Sequence, residues 1–131
     1  MKRSYIYLVM LLMLILLAAC NGREDTTTVK KGIYLMEHEA SEEGIAPRVN
    51  IGDDGISFMY DLLSSYFPVG TYEIEEKRLI MTTDDKLHTY TFEIDGDHLV
   101  FQAGESSRVN LLNNRIGIEV TDQAVFKLQD H

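Results

Sequence analysis

The residue types that most often carry out chemistry in proteins are spread along this chain without the spacing of a catalytic or metal site. Zinc sites take their ligands from clustered His and Cys side chains. The four histidines form no H-x-x-H or H-E-x-x-H motif, and they stand far apart in the sequence, at His38, His88, His98 and His131. From these residues we predict neither a metal site nor a bound cofactor.

Six aspartates form three close pairs that could be calcium ligands. These pairs are Asp53 and Asp54, Asp84 and Asp85, and Asp95 and Asp97. Each pair falls in a predicted tight turn, where aspartate is favoured by its hydrogen bonds to the local backbone, and none has helix–loop–helix calcium spacing. Ser64 and Ser65 lack the G-x-S-x-G motif and an obvious activating partner. A carboxylate pair for glycoside hydrolysis is defined by spatial separation, and the sequence favours no particular pair. We predict no catalytic residue.

The only cysteine, Cys20, closes an apolar segment near the N-terminus. Lys2 and Arg3 precede this segment, and two alanines lie just before the cysteine. This is the layout of a secretory signal peptide. The strongly apolar part, residues 8–17, is ten residues long, whereas a helix that spans a bilayer needs about 20. A membrane span is therefore the weaker interpretation of this segment.

The stretch "LAAC" at residues 17–20 resembles the lipobox of bacterial lipoproteins. The resemblance implies that the leader is removed and that Cys20, as the new N-terminus, carries a diacylglyceryl group. Two acyl chains suffice for stable anchoring in a membrane. Because the leader is of the secretory type, the resemblance also implies a position on the extracytoplasmic face of the cell membrane. In the alternative interpretation, Cys20 is an ordinary small residue in a leader that is not cleaved.

The chain is expected to have three parts: a signal peptide at 1–19, the lipidated cysteine with a flexible tether at 20–31, and a single β domain at 32–131. The tether is rich in threonine and charge. The net charge is −9, and the leader holds two positive and no negative charges, so the mature chain would carry about −11. This acidity disfavours nucleic acid and anionic lipid as direct partners.

From Gly32 onward, apolar residues alternate with period two, and turn residues recur every 8 to 12 or so positions. This pattern is typical of antiparallel β structure. We predict an all-β domain, a small meander of about seven to nine short strands. Because an open meander would expose one apolar face, the strands should close into a barrel or pack as a two-sheet sandwich.

Turn positions predict the strand register, since a slip of one residue would move every side chain to the opposite face. The predicted cross-strand pairs are Val49 with Phe58, Ile51 with Ile56, Tyr72 with Met81, Ile74 with Leu79, Phe92 with Phe101, and Ile94 with Leu99. The loop at Asp84 and Asp85 fits either two or four residues. The same alternation predicts an inward His88, a solvated His98, and exposed Thr91 and Glu93.

The segment "LLSSYFPVG" interrupts the alternation. Pro68 restrains Phe67 to an extended backbone, and Gly70 is expected to let the chain turn into the next strand. One interpretation is a crossover that plugs the core. The other is a loop at a barrel mouth, where Tyr66 and Phe67 form a candidate binding loop.

The stretch from Ser64 to Ser107, with "SSYFPVGTYEI", "LIMTTDD" and "YTFEIDGDHLVFQAGESS", resembles a module of small uncharacterised lipoproteins of Gram-positive bacteria. It is also similar to a tail segment of membrane metalloproteases related to β-lactam sensors. The protease motif is absent, so the resemblance implies an accessory or sensing domain without catalytic residues.

Three functions follow from these observations. The first is a lipoprotein whose non-enzymatic β domain binds a protein or another component of the cell envelope. The second is a lipocalin-like carrier of a small apolar ligand, and the third is a hydrolase. An eight-stranded barrel is either filled by side chains or holds one small ligand, and the bulky inward set predicted here favours a filled interior.

Overall fold

The structure is a computed structural model, and it describes residues 5–11, 27–39, 46–61, 64, 66–111 and 118–130. Residues 5–11 are helical and exposed. The predicted lipid attachment site, Cys20, lies outside the described residues. No helix in the described ranges combines the length and the apolar character needed to cross a membrane.

Eight antiparallel strands form a closed barrel in which each strand pairs with its neighbours in sequence. The strands are β1 (Gly32–Met36), β2 (Arg48–Ile51), β3 (Ile56–Met59), β4 (Val69–Glu75), β5 (Arg78–Thr83), β6 (Thr89–Asp95), β7 (His98–Phe101) and β8 (Val125–Leu128). The barrel closes because β8 pairs with both β7 and β1. The all-β prediction is confirmed, and the open choice between barrel and sandwich resolves to a barrel.

All six predicted apolar pairs are present in the register of the hairpins. Gly96 opens the β6–β7 turn with a φ of 58°, a value that glycine adopts without steric cost. The β5–β6 loop has the longer of its two predicted forms. The Thr83 amide donates to the His88 carbonyl at 3.0 Å, so four residues, 84–87, separate this pair.

The interior is filled by aromatic rings around Phe58, which is fully buried. Its ring centroid lies 5.1 to 5.9 Å from those of the neighbouring rings Tyr60, Tyr90, Phe92, Phe101 and Phe126. Several of these contacts are edge-to-face, an arrangement that aromatic quadrupoles favour. The bulk of the inward residues therefore fills the middle of the barrel, as the sequence predicts.

The two ends of the barrel differ. At one end, which we call the tight-turn end, the strands are joined by the short turns 52–55, 76–77 and 96–97. At the other, the loop end, the connections run through 37–47, 60–68, 84–88 and 102–124. Loops on a rigid scaffold are the usual carriers of function, so the loop end is the first place to look for a site.

Residues that precede β1 lie across the tight-turn end. Val29 packs against the core, and the Lys30 carbonyl accepts a hydrogen bond of 2.7 Å from the Tyr34 hydroxyl. The Lys30 ammonium pairs with Asp97 at 2.7 Å, and Lys31 pairs with Asp53. The two lysines thus contact two different turns, and ordered contacts begin before the first strand.

One predicted exposure is wrong. Thr91 points away from the barrel interior but is only 3% exposed, because the 3-10 turn Ala103–Glu105 and the residues after it cover the outer face of β6. The alternation of residues reports which face a side chain takes. It does not report whether another segment covers that face.

One other expectation needs a smaller correction. Gly70 does not sit in a turn but inside β4, where it pairs with both Ile56 and Thr83. Outside the strands, Ile118 and Val120 are buried on either side of the exposed Glu119, although residues 118–120 form no strand.

Candidate functional site

An exposed apolar surface lies beside β4 and the β5–β6 loop. It consists of Tyr66, Phe67, Val69 and Leu87, which are 37%, 46%, 41% and 75% exposed, and we call these four residues the rim patch. Two of them, Tyr66 and Phe67, form the candidate binding loop predicted from sequence. Clustered exposed apolar side chains mark interaction sites more often than single ones do.

Two segments build the rim patch and are tied together by hydrogen bonds. The Asp84 amide donates to the Val69 carbonyl at 2.9 Å, and the Tyr66 hydroxyl donates to Asp85 at 3.4 Å. Pro68 is buried, and its carbonyl accepts from the Phe58 amide at 3.0 Å. Pro68 and its bond to β3 thereby fix the backbone that presents Phe67.

Asp85 organises the loop that carries Leu87. Its carboxylate accepts a hydrogen bond of 2.6 Å from the Thr83 hydroxyl and one of 3.0 Å from the Leu87 amide. These two hydrogen bonds lower the pKa of Asp85 below its ordinary value, and the bond from Thr83 has the larger effect. Both bonds favour the charged form of the carboxyl group. The loop is therefore held by an ionised carboxylate at neutral pH.

His88 lies between the rim patch and the core. Its ring contacts Tyr66 edge-on at 5.5 Å and stacks on Tyr90 at 6.3 Å. The Tyr90 hydroxyl is buried, and this burial, followed by the neighbouring Tyr60 hydroxyl, raises the pKa of Tyr90. A row of rings runs from Phe58 through Tyr90 and His88 to Tyr66, so the patch rests directly on the core.

The remaining histidines and the serines considered from the sequence do not form a cluster among the described residues. His38 lies 3.4 Å from the Met36 carbonyl, and His98 is half-buried at the start of β7. His131 and Ser65 lie outside the described residues. The Ser64 hydroxyl accepts from the Tyr66 amide at 3.0 Å. Across the described ranges, no three His, Cys, Asp or Glu side chains are grouped as metal ligands.

Two members of the rim patch, Val69 and Leu87, were missed at the level of sequence. Leu87 is the single apolar residue in "DDKLH", a signal that could have identified it. Val69 could also have been identified, because the alternation along β4 places it on the same outer face as the exposed Thr71, Glu73 and Glu75.

The rim patch offers apolar area, two aromatic rings and the Asp85 carboxylate. These groups suit contact with an apolar surface of another molecule, and aromatic residues are enriched among the residues that dominate binding energy. The chain matches no known protein family, no curated protein and no solved structure.

Proposed function

We propose that the chain is a lipoprotein, anchored through Cys20 on the extracytoplasmic face of the cell membrane, whose barrel binds a protein or another envelope component. The observation that carries the proposal is the arrangement at the N-terminus. Basic residues, a short apolar segment and "LAAC" come in the order that lipid modification of Cys20 requires.

The position of the rim patch agrees with this function. The residues before β1 contact the tight-turn end, so a lipid on Cys20 would hold that end towards the membrane. The long connections lie at the other end of the barrel. The anchor would therefore leave the loop end open to partners in the envelope.

Ring packing in the barrel favours binding at the surface over the carrier function. Phe58, Phe92, Phe101 and Phe126 contact one another in the middle of the interior. A lipocalin-like carrier would need that space for its ligand. We therefore place the contact with the partner on the rim patch, and we propose no enzymatic activity and no cofactor beyond the lipid on Cys20.

The anchor is tested by replacing Cys20. In cells grown with a labelled fatty acid, the wild-type chain should carry label and sediment with membranes. Cys20→Ala should carry none and remain as precursor or become soluble. Asn21→Ala is the matched control, because it changes the neighbouring residue and leaves the thiol. If Cys20→Ala were labelled like the wild type, the lipoprotein proposal would be wrong.

A further inference from the structure

Strand β4 is paired along only part of one side. It pairs with β5 from Gly70 to Glu75, but with β3 at Val69 and Gly70 alone. Among the described residues, none pairs with 71–75 on the side that faces β3. Within the described part of the chain, residues 71–75 of β4 therefore form a strand edge without a pairing partner on this side, and we call this stretch the seam.

The hydrogen bonds around the seam show which backbone groups are free. The Val69 carbonyl accepts from Asp84, so the backbone groups of Val69 face β5, whereas the Pro68 carbonyl accepts from Phe58 on β3. Backbone groups alternate between the two sides of a strand. The N–H and C=O groups of Tyr72 and Ile74 thus point into the open side of the seam.

Side-chain exposure marks the same opening. Tyr72 and Ile74 point into the barrel but are only half-buried. Their cross-strand partners on β5, Met81 and Leu79, are fully buried. The difference indicates that inward apolar area remains uncovered along β4.

An open groove of about 360 Å³ lies beside the paired end of this edge. Its walls include Asn50, Asp54, Ser57, Val69, Thr71 and Asp84. Gly55 and Gly70 also line it, so the backbone there is not shielded by side chains. The groove gives an incoming chain direct access to the start of the edge.

We propose that the seam binds an extended peptide with alternating basic and apolar side chains, which adds a strand to β4. Free backbone groups at a sheet edge are the usual means of such strand addition. Apolar side chains of the peptide would cover Tyr72 and Ile74 on the inner face. On the outer face, its basic side chains would meet the exposed carboxylates of Glu73 and Glu75, with Asp54 and Asp84 close by in the groove.

The negative charge beside the seam also favours a basic peptide over a second copy of the chain as the partner. Pairing of two β4 edges would bring Glu73 and Glu75 near the same residues of the other copy, and like charges on facing strands are destabilising. The inference rests on the proposed binding function, but the strand pairing it proposes lies at residues 71–75 of β4, beyond Val69, which is the rim-patch residue that also lines the groove. It also does not depend on the lipid.

The probe is an eight-residue peptide of alternating lysine and valine with blocked ends, added to the full chain in detergent micelles. Amide hydrogen exchange measured by NMR should slow about tenfold or more at Tyr72 and Ile74. Thr71 and Glu73 should change little, because their amides face β5. A peptide of alternating glutamate and valine, with the opposite charge, should give no protection.

Charge variants complete the test. Asp54→Lys with Asp84→Lys should weaken binding of the lysine peptide about tenfold or more. Asp95→Lys with Glu119→Lys makes the same change of charge on exposed residues that do not line the groove, and it should leave affinity unchanged.

Three results would overturn the inference: no binding of the lysine peptide, protection confined to the rim patch, or protection of Tyr72 and Ile74 that grows with protein concentration without peptide. The last result would assign the edge to a second copy. Each of these results is read with a synthetic peptide or from the chain alone, so none depends on lipid labelling at Cys20 or on the envelope partner proposed for the rim patch. Failure here is therefore distinguishable from failure of the proposed function.

Discussion

The Thr91 amide donates a hydrogen bond of 2.8 Å to the Ser106 hydroxyl, which joins β6 to the segment after β7. The Ser106 hydroxyl in turn donates to the Gln102 carbonyl at 2.7 Å. The Thr91 hydroxyl donates to the Glu105 carbonyl at 3.1 Å. Residues 102–106 therefore cover the outer face of β6 and satisfy the polar groups that they bury.

We expect Ser106→Ala to destabilise the domain by about 1–3 kcal/mol, because it leaves the buried Thr91 amide without its acceptor. Thr91→Ala should cost about 1 kcal/mol through loss of the bond to Glu105. Chemical denaturation of the purified variants measures both values. Thr71→Ala is the matched control, since Thr71 is an exposed residue of β4, and it should lie within about 0.5 kcal/mol of wild type. A neutral Ser106→Ala would mean that the cover contributes nothing to stability.

The barrel could be predicted from sequence where local pattern decides the outcome. Alternation fixed the inward face of each hairpin, and turn chemistry placed the loops at 52–55, 76–77 and 96–97. The cover over Thr91 could not be predicted, because residues 102–107 have no period and reach β6 only through tertiary contacts. The same limit applies to Ile118 and Val120, which are buried without belonging to a strand.

Gly70 allows β4 to approach β5 closely. A Cβ atom at this position would lie 1.9 Å from the Thr82 carbonyl oxygen, which belongs to the backbone and cannot swing away. We expect Gly70→Ala to cost about 1–3 kcal/mol or more. Gly104→Ala is the control, because a Cβ there meets no atom within 4 Å. Equal unfolding midpoints for the two variants would contradict this account of Gly70.

Phe92 is fully buried, and its ring lies 5.3 to 5.7 Å from those of Phe58, Phe101 and Phe126. Truncation leaves a cavity that these rings can fill only in part, so Phe92→Ala should cost about 3–5 kcal/mol. Glu93→Ala, at the next and exposed position, should be close to neutral. Urea denaturation of both variants tests the difference, and a small effect at Phe92 would show that the interior repacks.

The ion pair between Lys30 and Asp97 predicts a pH effect. The hydrogen bond and charge of Lys30 lower the pKa of Asp97 from its ordinary 3.8. A lowered folded-state pKa gives stability that is present above the unfolded value and is lost as pH falls through the folded value. Lys30→Met should therefore lower Tm at pH 7, and the difference from wild type should shrink on acidification below 3.8.

NMR titration of the carboxyl groups checks the cause of this effect. In Lys30→Met, the pKa of Asp97 should rise towards its ordinary value. The pKa of Asp53 should stay where it is, because Lys31 and not Lys30 lowers it. An unchanged Asp97 titration would show that the ion pair does not form in solution.

The candidate site shows the same division between local and tertiary information. Pro68 and the interrupted alternation identified Tyr66 and Phe67 as unusual from sequence. The bonds from Asp84 to Val69 and from Tyr66 to Asp85 bring the β5–β6 loop, and with it Leu87, beside them. Those contacts join positions 15 and 19 residues apart, which no local pattern reports.

The last prediction concerns the rim patch as the surface that contacts the partner. A photo-reactive amino acid placed at Phe67 should crosslink to an envelope component in intact cells, and the same group at Lys77, in the turn at the other end of the barrel, should not. The partner identified in this way is then purified, and its affinity is measured for the wild-type chain and for the double variant Tyr66→Ala with Phe67→Ala. Aromatic residues at the centre of an interface often contribute about 2 kcal/mol or more, so the double variant should bind about tenfold or more weakly.

Because Tyr66 also contacts His88, Phe67→Ala alone is the stricter variant, and its unfolding midpoint should match that of wild type. If Phe67→Ala and the double variant are both folded and both bind with wild-type affinity, the rim patch is not part of the binding surface. If only the double variant fails to fold, Tyr66 belongs to the core, and the affinity of Phe67→Ala then decides whether the rim patch contacts the partner.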